Sequence, residues 1–225
     1  MLLLMNHKDI TRDFILLDLY HDDITFYFSP STVFLSAISA SSLITLYLNK
    51  KIELNDGEIT ILDDNCYQDY HQMMMDYIKE RKLFNIKELA SELFADSDFS
   101  LSLYEKVIEN LSKDGLIKVE KKTQFILNKN SISLVDEEAV RSSYLKLYET
   151  LFNDDESQEF VALALVIDTF FMIDDYFDED QHDKIKESLV RLKDNELYND
   201  IIVFKDVIDE FYSLITHRST NYFGI

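Results

Sequence analysis

Residues 24–62 read ITFYFSPSTVFLSAISASSLITLYLNKKIELNDGEITIL, the least charged part of the chain and the one with the clearest structural consequence. From Ile24 to Asn49 it has no charged residue, in a chain of 225 residues whose formal net charge is −21. Such a run must be withdrawn from water. Val33 to Leu48 is long enough for roughly four helical turns, and Leu43, Leu46 and Leu48 keep it apolar towards its end. Ser36, Ala37, Ser39, Ala40, Ser41 and Ser42 are small, so neighbouring backbones can approach closely. The period then changes. Lys51-Ile52-Glu53-Leu54 and Glu58-Ile59-Thr60-Ile61-Leu62 alternate around Asn55-Asp56-Gly57, and Asp-Gly between alternating segments signals a β-hairpin. The reading is a buried helix that feeds directly into a hairpin.

A bilayer span needs about 20 mostly apolar residues. The uncharged run carries six serines, three threonines and Pro30, and a hairpin follows it at once, so a core helix is expected. Met1-Leu2-Leu3-Leu4-Met5 has no basic residues before it and soon meets Lys8, Asp9, Arg12 and Asp13, which does not fit a secretory signal.

Three glycines and one proline point to mostly helix with short connections. The single cysteine, Cys66, rules out an internal disulfide framework and suits a reducing, cytoplasmic setting. An acidic surface repels phosphates, which argues against a general nucleic-acid or anionic-membrane binder. The charge is uneven, however. Between Lys113 and Lys129 five lysines face only Asp114 and Glu120, and Lys118, Lys121 and Lys122 form an expected basic edge near Lys50-Lys51 and Lys79-Glu80-Arg81-Lys82.

Along the chain, Ile10 to Tyr20 has helical spacing through Ile10, Phe14 and Leu17, flanked by Ile15, Leu16 and Leu19, with Thr11 as a candidate cap. Tyr67 to Lys82 reads as an amphipathic helix. Asn85 is placed to cap a short helix to Phe94, and Leu101 to Lys113 forms another helix ending before Gly115. Leu116–Val119 and Phe125–Leu127 are expected as strands around Lys121-Lys122, which repeats the opening helix–hairpin design and resembles a winged-helix unit. Asp136–Phe152, Ser157–Phe177, Asp180–Leu192 and Tyr198–Ile215 read as helices, with Phe160–Ile173 central and enclosed. The expected fold is mainly α: a single helical domain over residues 1–225, with two helix–hairpin units followed by a C-terminal helical bundle.

Three blocks carry a family resemblance. Phe14-Ile15-Leu16-Leu17-Asp18-Leu19-Tyr20-His21-Asp22-Asp23 is a leucine-rich opening followed by Asp. Leu43-Ile44-Thr45-Leu46-Tyr47-Leu48-Asn49-Lys50-Lys51-Ile52-Glu53-Leu54 is a helix, a basic turn and an acidic strand. Asn110-Leu111-Ser112-Lys113-Asp114-Gly115-Leu116-Ile117, followed by Lys122-Thr123-Gln124-Phe125-Ile126-Leu127, is a helix, a glycine turn and a strand. With Val161–Ile167 and Arg191-Leu192 as C-terminal support, the chain resembles the Golgi phosphoprotein 3 family over roughly residues 10–192. The resemblance implies a mostly helical, non-enzymatic adaptor at the cytoplasmic side of membranes. It implies a peripheral protein that binds phosphatidylinositol 4-phosphate and takes a protein client, with no cofactor. By position the headgroup pocket falls on Phe28, Ser39, Leu101, Tyr104 and Lys106. The family's arginines correspond to Ser39, Leu101 and Tyr104, so the phosphate-binding groups of the pattern are missing here. The alternatives are a protein-interaction scaffold that has lost the lipid pocket, and a winged-helix DNA binder. Glu105 and Glu109 on the would-be recognition helix disfavour the latter, and no nucleic-acid partner is expected.

Other constellations have plain readings. Asp174-Asp175-Tyr176-Phe177-Asp178 fits an Asp-Asp-x-x-Asp diphosphate–magnesium pattern. The second motif such a site needs, starting at Asn199-Asp200, has Val203 and Val207 where metal-binding groups should stand. As an EF-hand the acidic segment has Glu179 at the glycine position and Ile185 at the last ligand. Cys66, Asp69 and His71 lie close in sequence, but no further residue completes a metal-ligand spacing, and a scattered surface role is expected. No catalytic or metal residue is assigned.

Overall fold

The computed structural model describes residues 7–21, 25–26, 30–124, 127–152, 157–170, 172–193, 207, 209–214 and 216. It is mainly helical with short antiparallel strand pairs, as the sequence leads one to expect. Ile10–His21 forms α1, Thr25–Phe26 the short strand β1, and Thr32–Leu48 the helix α2. The Ser31 hydroxyl accepts the Phe34 N–H at 3.1 Å and caps the start of α2. Every residue from Phe34 to Leu46 is buried. The small residues of α2 let α1, α5 (Ser97–Lys113) and α7 (Gln158–Thr169) pack against it. Buried hydroxyls on this helix need partners. Ser41 donates back to the Ala37 carbonyl at 2.7 Å, and Ser39 lies 3.4 Å from the Ser100 hydroxyl of α5. None of the described helices is long and apolar enough to cross a membrane.

After α2 comes the expected hairpin, β2 (Ile52–Asn55) with β3 (Glu58–Ile61). Asp56 and Gly57 both have positive φ, 51° and 80°, as a two-residue type I′ turn requires. Ile52, Leu54 and Ile59 face inwards. α3 (Asp69–Arg81) ends on Lys82 in a left-handed conformation, and α4 (Ile86–Ala95) is capped by Asn85, as read from the sequence.

The second hairpin differs from its sequence reading. Strand β4 (Ile117–Gln124) and strand β5 (Leu127–Leu134) are each eight residues long, and β1 adds to the outer side of β5. Lys121 and Lys122 are therefore not at the turn. They lie within β4, in register with Asn130 and Lys129. The misplaced turn has a physical cause. Ile117 and Val119 need apolar partners, and Leu134 and Ile132 supply them by alternation, so the strand nearer in sequence is not their match.

The remaining helices are α6 (Glu137–Phe152), α7, the one-turn α8 (Ile173–Tyr176) and α9 (His182–Lys193), with a 3-10 turn at Glu179–Gln181 before α9. Phe160 to Ile167 are all buried, so the enclosed central helix is present. It is shorter than the sequence reading had it. Phe170, Met172, Tyr176 and Phe177 stay buried while Asp174 and Asp175 reach solvent, and the chain reconciles the two by breaking the helix after Thr169. Of the expected helix 198–215, residues 209–214 are helical and the segment up to residue 206 lies outside the described residues. One cluster of buried apolar side chains extends from Ile10 to Phe211.

Candidate functional site

The headgroup positions implied by the resemblance fall at the seam between α2 and α5. Ser39 is 0% exposed, with its hydroxyl beside that of Ser100. Tyr104 is buried and packs edge-on against Phe34, with ring centroids 5.9 Å apart. Leu101 is half-buried against the core. Lys106 sits on a different side of α5. There it pairs with Glu109 at 2.9 Å and with Asp69 of α3 at 3.7 Å. Phe28 lies outside the described residues. The structure thus brings Ser39 and Tyr104 into one helix–helix interface and turns Lys106 towards α3. On the second hairpin, exposed Lys118 pairs with Glu120 of the same strand at 2.7 Å. The side chains of Lys121 and Lys122 are outside what the structure describes.

A polar constellation with no distinct signature in the sequence stands at the start of α1. Asp9, not Thr11, caps this helix. Its Oδ1 accepts the Arg12 N–H at 3.0 Å, and its carbonyl accepts the Asp13 N–H at 3.1 Å. Asp9 Oδ2 accepts the Tyr70 hydroxyl, and His71 Nε2 stands 3.6 Å from Oδ1. The Asp9 N–H in turn donates to Glu159 of α7 at 2.7 Å. Thr11 is buried beneath this cap, its hydroxyl 3.3 Å from His71 Nε2 and 3.5 Å from that of Thr45. Thr45 also accepts the Ile10 N–H at 3.1 Å, which ties α2 to α1. Burial pushes His71 below the ordinary histidine value, opposed by the nearby Asp9 charge, so this imidazole is neutral at physiological pH. Burial also raises Tyr70 and Glu159, and it pushes Asp13 up to about 7.

Beside this cluster lies a cavity of about 270 Å³ between the start of α1, the end of α2 and the loop leading to α3. Lys8, Arg12 and Lys51 are its cations, and Asp9 is the single carboxylate among its described lining residues. Lys8 Nζ donates to the neutral Gln158 side chain at 3.0 Å, whereas Lys51 is paired with Asp63. Arg12 makes no ion pair among the described residues, and its Nε is shut off from solvent with no hydrogen-bond partner. His7 stacks on Tyr67 at the rim, ring centroids 4.4 Å apart.

The metal-like groupings separate in space. Cys66 and His71 both line the cavity, while Asp69 is exposed and turned to Lys106. Burial pushes the Cys66 thiol up to about 11, which makes it a poor thiolate ligand. Asp174 is 82% exposed and contacts only His182, at 3.4 Å, among its described ion-pair partners. Asp178 is used as the cap of the 3-10 turn, and Ile185 is core. Among the described residues no three His, Cys, Asp or Glu side chains are placed to hold a metal. Comparison with models of known protein families gives no match, and comparison with curated proteins gives none either.

Proposed function

We propose that this protein is a non-enzymatic adaptor: a helical scaffold that keeps the overall design of a Golgi phosphoprotein 3-like domain without that family's headgroup pocket. One observation carries the reading. Ser39, at the position where the family pattern has an arginine, is 0% exposed and engaged with Ser100. An arginine there would bury its charge in a helix seam, and the nearby Lys106 already spends its charge on Glu109 and Asp69.

Vesicle sedimentation tests this directly. Vesicles of phosphatidylglycerol with and without phosphatidylinositol 4-phosphate should show no headgroup preference that depends on Lys106. Selective binding that disappears with Lys106→Ala would overturn the scaffold reading. A protein client should bind equally well to the wild type and to a Lys121→Glu/Lys122→Glu variant.

A second reading, a peripheral protein on anionic lipid, is supported by a different surface. Leu62 and Tyr67 are 54% and 66% exposed. Leu62 lines a groove with Lys8 and Lys50, and Tyr67 lines the cavity that Lys8 shares with Lys51. Apolar side chains next to lysines are the means by which proteins insert at a headgroup layer. The net charge of −21 works against it, since an anionic leaflet repels the body as a whole.

A further inference from the structure

The cavity at the start of α1 is lined by three cations, of which Arg12 and Lys8 make no ion pair among the described residues. In a chain with 43 acidic residues against 22 basic ones, a cation without a carboxylate partner needs a reason. Arg12 has none among the described residues, and its Nε is a buried donor with nothing to donate to. A buried donor left without a partner is unfavourable. Lys8, another of its lining residues, donates its hydrogen bond to a neutral amide and makes no ion pair among the described residues, although the Glu159 carboxylate lies within electrostatic reach. The one carboxylate in the wall, Asp9, is already used by the Tyr70 hydroxyl and the Arg12 N–H. The first-turn N–H groups of Ile10 and Arg12 are taken as well, so a ligand here would be held by side chains and not by the helix end.

We propose that this cavity binds a phosphate group of the monoester type, with the Arg12 guanidinium and the Lys8 ammonium as its principal partners and Lys51 as a third, partly compensated charge. A guanidinium presents a fork of donors that fits two phosphate oxygens, and Lys8 adds a point charge. Two cations that make no ion pair among the described residues favour a dianion over a single carboxylate, which could pair with only one of them. The volume suits a small polyatomic anion with part of its carrier, and the His7–Tyr67 stack offers that carrier a flat surface. The site is separate from the α2–α5 seam, so it stands whether or not the adaptor reading holds.

The test uses the full chain and inorganic phosphate at constant ionic strength, followed by calorimetry or amide chemical shifts. Saturable binding is expected, with shifts centred on residues 7–12, and Arg12→Gln and Lys8→Gln should each weaken it about tenfold or more. Lys184→Gln, on α9, should leave it unchanged. Lys8→Gln is a half-exposed change that keeps the test valid if Arg12→Gln fails to fold. Two further arms identify the carrier. Glycerol 3-phosphate represents a free phosphomonoester and phosphatidic acid vesicles a lipid one, and Arg12-dependent binding of either supports the site. Absence of saturable phosphate binding, or binding that survives both the Arg12 and Lys8 substitutions, overturns it.

Discussion

The Ser143 hydroxyl of α6 donates to Asp13 Oδ1 of α1 at 2.7 Å, and this bond joins a carboxyl group that burial has pushed from 3.8 up to about 7. Burial is the larger effect, the Ser143 bond opposes it, and the charges of Glu159 and Asp9 add to the rise. Because the folded value lies above the unfolded one, the folded chain keeps a proton that the unfolded chain releases. The stability from this group is present at acid pH and is lost as pH rises through about 7. Asp13→Asn retains an oxygen for Ser143 and cannot ionise. Relative to the wild type, the variant should gain on the order of 4 kcal/mol between about pH 4 and about pH 8. His71 works the other way, since its lowered value means stability is lost as pH falls below the ordinary histidine range. It is common to both proteins and cancels in the comparison. Calorimetric melts across this window check the prediction, and a pH-independent difference would refute it.

Ser39 gives the second prediction. Its side chain occupies the α2–α5 interface with no exposure. Ser39→Ala removes a weak hydroxyl contact and should cost about 1 kcal/mol or less. Ser39→Arg, which introduces the arginine that the resemblance implies at this position, forces a long charged side chain between two packed helices and should cost about 3 kcal/mol or more. Denaturant titration separates the two cases. A stable Ser39→Arg protein that gained phosphoinositide binding would show that the seam can open into a pocket after all.

How far the sequence could be read depended on what each segment buries. α2 and its hairpin were legible because an uncharged run has one physical fate and Asn55-Asp56-Gly57 has one good turn. The enclosed α7 was legible for the same reason. The second hairpin was misread because Lys121 and Lys122 looked like turn residues, whereas register is decided by Ile132 and Leu134 further along. The cavity was not legible at all. Its walls come from His7–Arg12 and Cys66–His71, which resemble ordinary surface, and from Thr45–Lys51, the end of a helix whose sequence signals only burial. The one available signal was an Asp-Ile-Thr-Arg start to α1, in which Asp9 is as good a cap as Thr11 and leaves Arg12 one turn inside.

Lys82 supplies a prediction about backbone strain. It closes α3 with φ 57°, and the Leu83 N–H reaches back to the Ile78 carbonyl at 3.0 Å. The corresponding end of α5 uses Gly115, with φ 75° and the Leu116 N–H on the Leu111 carbonyl at 3.0 Å. The same closure is thus made once with glycine and once without. A residue with a Cβ pays roughly 1–2 kcal/mol in the left-handed region, partly offset by the greater freedom of glycine when unfolded. Lys82→Gly should therefore stabilise the chain by about 0.5–1 kcal/mol, and Gly115→Ala should destabilise it by about 1 kcal/mol. Nothing lies within 4 Å of a Cβ added at Gly115, so that loss would be conformational and not steric. Melting-temperature shifts of opposite sign, the smaller one for Lys82→Gly, would establish this, and a destabilised Lys82→Gly would rule it out.

Tyr70 and Asp9 link α3 to the cap of α1. The Tyr70 ring is buried and its hydroxyl donates to Asp9 Oδ2, so the phenol satisfies a carboxylate oxygen that has little access to water. Tyr70→Phe keeps the ring in place and deletes only that donor. A hydrogen bond to a charged group contributes about 1.5–3 kcal/mol, and the Asp9 oxygen left behind would be underpaired. The variant should lose about that much stability in denaturant titration. The damage should be local: amide exchange should quicken at Arg12 and Asp13, whose N–H groups are held by Asp9, while the α7 amides from Phe160 to Ile167 keep their protection. Adding Asp9→Asn to Tyr70→Phe should cost less than the two single losses combined, because an amide retains the cap without a charge that needs the phenol. Additive losses would mean that Tyr70 and Asp9 act independently, and the cap of α1 would then owe nothing to α3.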